Sequence, residues 1–300
     1  MKGNLDLYRI FCAVVRAGTF SGAARELYVT QPAVSQAVQQ LEQRLDAKLF
    51  VRGARGVTLT PEGELLYSYA RSALNLLTAG EGRVSQLDSL DAGELRIGAG
   101  DTVTKWFLLP VIEEFHRSYP DVALRITNRT SRETVQLLEE GRIDIGFVNL
   151  PLSAPGVVTE PCCPIHDVFI AGPAYDDLRG RTVGLAELAE QSLILLEQTS
   201  NSRRWIDRHF LSAGVALQPA IELGAHDLLA DCARIGLGVA CVIEEFSRSV
   251  IGADGVFRVE VDPPVPRRSV GACYLESVGL SPAARRFLTL AGSRSTGKDA

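Results

Sequence analysis

Leu5, Tyr8, Phe11, Cys12 and Val15 recur at intervals of three and four, the spacing of an apolar stripe on a helix, which predicts a first helix ending near Ala17-Gly18. A second helix is predicted to begin at Ser21 as N-cap, with Ala23, Ala24 and Leu27 on its inner face, where small side chains let a neighbouring helix approach. Tyr28-Val29 reads as a short turn. Thr30 then caps a third helix that tolerates Pro32, because first-turn amides have no intrahelical acceptor. That helix runs to about Leu45, with Ala33, Val34, Val38, Leu41 and Leu45 inward. Its other face, Gln31, Ser35, Gln36, Gln39 and Gln40, is uncharged and hydrogen-bonding. The segment KLFVRGARGVTLT follows, and its alternation around Gly-Ala-Arg-Gly predicts a two-stranded wing carrying Arg52 and Arg55.

Thr60-Pro61-Glu62 places a cap, a first-turn proline and an acid where a helix begins. The helix is expected to reach about Leu90. Leu66, Ala70, Ala73, Leu77, Gly80, Val84 and Leu87 form a seven-residue repeat, a seam that needs a partner. From Gly93 onward the period changes. ELRIGAG, VALRIT, DIGFV, VFIAG, LILLE, AIELG, VACVI, VFRVEV and VGACYL are candidate strands. Helices are expected near Val103 to Ser118, Ser131 to Glu140, Leu185 to Gln191, Ser202 to Ala213, His226 to Ile235 and Pro282 to Leu290. This alternation predicts an α/β body around two mostly parallel sheets.

The charge distribution sharpens the picture. The 300 residues carry a net charge of −5, yet residues 1 to 60 hold eight Lys and Arg against four acids. A basic head on an acidic body suits contact with a polyanion through the head alone. No apolar run approaches the roughly 18 residues a bilayer crossing needs, and Asp6 and Arg9 interrupt any leader-like segment. The chain is therefore expected in the cytoplasm, with no membrane partner. Six scattered cysteines without CxxC spacing point away from a disulfide framework or a metal site, and vicinal Cys162-Cys163 reads as a buried or linker pair before a redox pair. GxSxG, HExxH and P-loop patterns are absent, so His116, His166, His209 and His226 carry no recognisable catalytic constellation. No cofactor and no enzyme activity is expected.

Two sets of residues carry candidate chemistry. Two short helices, a turn and a polar third helix make a helix-turn-helix, and glutamine amides and hydroxyls can read base edges in the major groove while arginines hold phosphates. The candidate DNA-facing residues are Ser21, Thr30, Gln31, Pro32, Ser35, Gln36 and Gln39, with Arg52 and Arg55 on the wing. In the body, hydroxyl-rich helix starts follow the strands: Gly100, Asp101 and Thr102; Thr130; Asn149; Thr199 and Ser200; and His226. Exposed amides and hydroxyls at such places bind small ligands, although the same residues are ordinary N-caps.

FSGAARELYVTQPAVSQAVQQLEQRLDAKLFVR and the following TLTPEG resemble the LysR-type family of bacterial transcriptional regulators. The resemblance implies a winged helix-turn-helix domain over residues 1–60, a linker and dimerisation helix over 61–90, and an effector-binding domain over 91–292 resembling periplasmic solute-binding proteins. It implies subdomains of 91–161 with 266–292 and of 162–265, the chain crossing near Glu160-Pro161 and returning near Pro263 to Pro266. Residues 293–300 are expected to form a disordered tail. The implied function is sequence-specific, effector-controlled DNA binding by a homodimer or homotetramer, with promoter or operator DNA, a small metabolite and RNA polymerase as partners. A solute-binding module for transport or sensing is the alternative that the α/β pattern permits. The family often has a hydroxyl directly after the first strand's IGA; here Gly100 is followed by Asp101, which suits a zwitterionic or amine-bearing metabolite better than a simple anion.

Overall fold

The computed structural model describes residues 5–53, 56–85 and 93–295, and these fall into two compact units, residues 1–85 with 139–142 and the remainder.

In the first unit, α1 (Leu5–Ala17) buries Leu7, Phe11, Cys12, Ala13 and Val14. The inner face is thus rotated from the expected one: Leu5 is exposed, while Tyr8 and Val15 are half-buried. Gly18, at φ 66, ends the helix. The next helix, α2 (Phe20–Glu26), is capped by Thr19, whose Oγ1 accepts from Gly22 N at 3.0 Å, and Ser21 lies inside the first turn instead of at the cap. Thr19 has the extended backbone a cap requires. Helix α3 (Gln31–Leu45) starts behind Thr30 with Pro32 in its first turn. It buries Val34, Ala37, Val38 and Leu41, whereas Ala33 and Leu45 are exposed. Phe11, fully buried, anchors this core against Phe50, the ring centroids 5.3 Å apart; burial of such a side chain contributes on the order of 2–3 kcal/mol.

Strands β1 (Phe50–Gly53) and β2 (Gly56–Leu59) pair antiparallel, Phe50 opposite Leu59. The hairpin is pinned to the helices by Val57 N donating to Gly18 O at 3.0 Å. A Cβ on Gly56 would sit 2.5 Å from that same carbonyl, so only glycine permits this approach. The Arg52 side chain and Arg55 lie outside the described residues.

Helix α4 (Pro61–Ser85) is capped by Thr60, whose Oγ1 accepts from Gly63 N at 3.0 Å. Leu66, Tyr67, Ala70 and Leu74 pack onto the core of this unit. The expected seam is therefore divided: its first two members are satisfied within the chain, while Ala73 and Leu77 remain exposed together with Leu65 and Tyr69. The uncovered stripe is Leu65, Tyr69, Ala73 and Leu77, at intervals of four. The expected continuation over 86–90 lies outside the described residues.

The second unit holds two sheets. The first comprises β3 (Gly93–Ala99), β4 (Val122–Asn128), β5 (Ile145–Asn149), β6 (Val157–Ile165) and β13 (Arg268–Leu275), in the order β4-β3-β5-β13-β6. The second comprises β7 (Asp167–Ala171), β8 (Thr182–Gly184), β9 (Leu193–Leu196), β10 (Ile221–Leu223), β11 (Val239–Ile243) and β12 (Phe257–Asp262), in the order β10-β9-β11-β7-β12-β8. Both sheets are mixed: among the described residues two of four ladders are parallel in the first and three of five in the second. The strands that carry the chain between them, β6, β7, β12 and β13, supply the antiparallel pairs. Helices α6 (Leu109–Ser118) and α12 (Pro282–Ser295) cover one face of the first sheet through Phe115 and Phe287, 5.3 Å apart. The other face is covered by α7 (Ser131–Glu139). On the second sheet, α8 (Leu185–Ala189) and α9 (Asn201–Ser212) cover one face and α10 (His226–Arg234) the other, while the short α11 (Glu244–Ser247) follows β11.

The crossover occurs at His166, between β6 and β7, and not near Glu160-Pro161. Pro161 and Pro164 lie within β6, an edge strand, where a missing amide leaves no ladder bond unmade. Cys162 is the extra residue of a bulge there, because Gly271 faces Pro161 and Val270 faces Cys163. The return to the first sheet runs from Pro263 to Arg267, between β12 and β13. Buried Arg268 donates to the Asp167 carboxylate at 2.5 and 2.8 Å and to Ser202 Oγ at 2.8 Å. Helix α12 continues to Ser295, past the expected boundary at 292; residues 296–300 lie outside the described residues.

Candidate DNA interface and ligand cleft

The outer face of α3 keeps Gln31, Pro32, Gln36, Gln39 and Gln40 exposed, with Ser35 half-buried. Their spacing of three and four puts them on one side of the helix. Gln31 Nε2 donates to Ser35 Oγ at 3.0 Å, and Thr30 Oγ1 accepts from Ala33 N at 3.4 Å, so the Thr30 hydroxyl caps the helix beside this surface. Ser21 is exposed in the first turn of α2. The arrangement offers amides, hydroxyls and the positive end of a helix on a rigid scaffold, the groups that base edges and phosphates engage. Tyr28, expected only as part of a short turn, adds to this surface. It is 96% exposed with φ 56 in the turn leading into α3, a backbone state that no local pattern announces for an aromatic residue.

In the second unit, a cavity of about 730 Å³ opens where the loops after β3, β4, β5, β9 and β10 meet. Gly100, Asp101, Thr102, Thr130, Asn149, Thr199, Ser200 and His226 all line it. Their individual states differ. Gly100 precedes the short α5 (Asp101–Val103), which passes through a π-helical segment, Thr104–Leu108, into α6. Thr130 is occupied: its hydroxyl and amide donate to Glu133 Oε2 at 2.8 and 3.0 Å, a capping box that holds the Glu133 carboxyl below its ordinary range. Ser131 Oγ accepts from Asn149 N at 3.1 Å, leaving Asn149 Oδ1 buried without a partner among the described residues. Ser200 caps α9 by backbone position alone, with no side-chain hydrogen bond.

His226 is 5% exposed, and its Nε2 accepts from Ile243 N at 2.8 Å. The ring proton therefore sits on Nδ1 in the neutral form. Burial pushes its pKa down against the pull of Asp227 and Asp167. Residues outside the sequence-based set also line the cavity: Lys105, Arg129, Glu133, Glu197, Asn201 and Asp227. Lys105 Nζ and Trp106 Nε1 donate to Asp227 at 2.5 and 3.3 Å, joining the π-helical segment of one sheet's layer to α10 of the other. Burial alone would raise the Asp227 pKa, but these two bonds together with the positive charge of Lys105 hold the carboxyl low. Asn201 Nδ2 makes a second bridge, donating to the carbonyls of Asn149 and Pro151. Lys105 and Asp227 lie 122 positions apart, a separation that explains why local spacing gave no sign of them.

Among the described residues no helix is long and apolar enough to cross a membrane, and no group of three or more His, Cys, Asp or Glu is placed to hold a metal ion. Burial pushes the Cys162 thiol up to about 11, far from the thiolate form that a peroxide-reactive cysteine needs.

Comparison with known proteins agrees with this two-part division. Residues 5–64 match the family described as bacterial regulatory helix-turn-helix protein, lysR family, and residues 88–295 match the LysR substrate binding domain. An uncharacterized HTH-type transcriptional regulator of Escherichia coli, YeiE, is 30% identical over 288 residues, covering 96% of this chain and 97% of that protein. Solved structures share the fold as well. A full-length OxyR variant of Pseudomonas aeruginosa has a TM-score of 0.69 at 22% identity, with 98% and 95% of the two chains covered. Full-length CbnR complexed with its target DNA has a TM-score of 0.65 at 22% identity, with 98% and 100% covered.

Proposed function

The chain belongs to the LysR-type family of bacterial transcriptional regulators, and from that premise we infer that it works as a homodimer whose affinity for promoter DNA is set by a small molecule held in the cleft of its α/β body. The family places it among sequence-specific DNA-binding regulators controlled by effectors, not among enzymes. The helix-turn-helix match also favours a regulator over a transport module. The observation that carries the reading is the exposed Gln31, Gln36 and Gln39 face of α3, with half-buried Ser35 beside it, in the same chain as a cavity lined by four helix starts.

Each part has a physical task. Gln36 and Gln39 present amides that can both donate to and accept from base edges, while Thr30, Arg52 and Arg55 attract the phosphate backbone. Twofold symmetry then presents two such helices to a pseudopalindromic operator. The uncovered Leu65, Tyr69, Ala73 and Leu77 stripe of α4 favours pairing with a second copy, since solvated helices rarely keep an apolar row. A ligand that binds one arrangement of the two lobes better than another shifts the population of DNA-competent dimers by its difference in affinity. The cytoplasm is where such a chain meets the promoter and RNA polymerase.

The test is titration of labelled promoter DNA at two salt concentrations. Gln36→Ala should reduce discrimination between promoter and scrambled duplex by about 1–3 kcal/mol, whereas Arg55→Ala should weaken both duplexes alike and flatten the salt slope. Affinity that ignores sequence and salt in the unaltered protein would overturn the reading.

A further inference from the structure

The charges of the cleft do not balance. Its walls carry the carboxylates of Asp101, Glu133, Glu197 and Asp227 against the cations Lys105 and Arg129. Lys105 is taken by Asp227 at 2.5 Å. Glu133 is tied up by Thr130 and lies in the field of Arg129. The carboxylates of Asp101 and Glu197 remain, exposed toward the cavity with no hydrogen-bond donor or ion-pair partner among the described residues. His226 brings no compensating charge, since burial keeps it neutral.

The unsatisfied hydrogen-bonding groups lead the same way. Asn149 Oδ1, buried and unpartnered, is an acceptor awaiting a donor. His226, 5% exposed, turns its Nδ1–H toward the Asp227 carboxylate, 3.8 Å away and beyond hydrogen-bond distance, so it adds no cation and no free donor. Helices α5, α7 and α10 each begin with an acid in the first turn, which offsets their positive ends. The twelve-residue α9 does not, and no side chain caps it. One helix start is therefore left for an oxyanion, beside Thr199 and Ser200.

We propose that the cleft selects an amine-bearing zwitterion of the α-amino-acid class, its ammonium held by Asp101, Glu197 and Asn149 Oδ1 and its carboxylate by the start of α9. The inference rests on the effector-cleft reading above and narrows it. A dianion or inorganic oxyanion would meet two uncompensated carboxylates, whereas a zwitterion supplies the missing cation without forgoing the anion site.

The experiment measures binding to the full-length protein by titration calorimetry. The probes are the common L-α-amino acids, the 2-oxo acids and amines made from each by removing the amino or the carboxylate group, and sulfate. Promoter affinity is read in parallel. An amino acid is expected to bind at least about tenfold more tightly than either of its truncated counterparts. Asp101→Asn and Glu197→Gln, both at exposed positions, should each weaken that binding by about tenfold or more while the circular dichroism spectrum stays unchanged. Binding of sulfate or of 2-oxo acids in preference to amino acids, or no binding by any probe, would overturn the inference. An amino acid that binds as expected yet leaves promoter affinity unmoved would support the ligand class and instead defeat the regulatory reading of the cleft.

Discussion

A single imidazole illustrates how burial decides what a side chain can do. His226 was singled out by sequence as a possible ligand contact, and the structure gives its Nε2 a fixed duty at Ile243 N while its Nδ1 faces the Asp227 carboxylate at 3.8 Å. Burial, aided by the positive charge of Arg268, prevails over the pull of Asp227 and Asp167 and lowers its pKa from the ordinary 6.5. Above about pH 6.5 the ring is neutral in both folded and unfolded chains and contributes nothing to pH dependence. Below that value the unfolded chain takes up a proton that the folded one refuses. Stability is then lost with falling pH, by at most about 1.4 kcal/mol per pH unit, until the folded pKa is reached. Melting curves between about pH 7.5 and pH 5.5 should show this loss, and His226→Gln, which keeps an acceptor for Ile243 N, should show a smaller one. An unchanged pH slope in that variant would mean that other groups dominate.

Elements were legible to the degree that their signals are local. The capping threonine of α3, its first-turn proline and its polar outer face follow from neighbouring residues, and the helix bounds agree with expectation. Strand β6 was not legible, because Pro161-Cys162-Cys163-Pro164 resembles a break; only its edge position and the bulge at Cys162 make it a strand. The loops around the cleft could be found from strand ends followed by hydroxyls, whereas Glu197 and the Lys105–Asp227 bridge depend on tertiary placement. For α4, a heptad reading found the helix but mixed two faces. Leu66 and Ala70 turn toward the unit's own core, and Leu65, Tyr69, Ala73 and Leu77 stay uncovered. If that stripe is the dimer seam, Tyr69→Glu should weaken self-association by at least about tenfold in sedimentation velocity while circular dichroism stays unchanged. A dimer of undiminished affinity would place the seam elsewhere.

At the scale of the molecule, the two lobes of the effector-binding body are joined where Arg268 of β13 meets Asp167 of β7 and Ser202 of α9, the pair 1% and 3% exposed. Removing one partner leaves a buried charge alone, so Arg268→Met should cost about 3–5 kcal/mol in urea unfolding. The double variant Asp167→Leu with Arg268→Met should regain much of that loss, because a well-packed apolar pair avoids desolvation altogether. Equal destabilisation in both variants would show that shape, not charge, holds the junction. At the cavity wall the lobes also meet through Lys105 and Asp227, whose side chains are 53% and 45% exposed. An exposed pair is worth only about 0–1 kcal/mol and fades as electrolyte rises. The strength of the cell's own electrolyte thereby becomes an input: osmotic stress that concentrates potassium loosens this strap at the moment when it also weakens the grip on DNA. Dose-response curves collected at one ionic strength would fold the two effects into a single number.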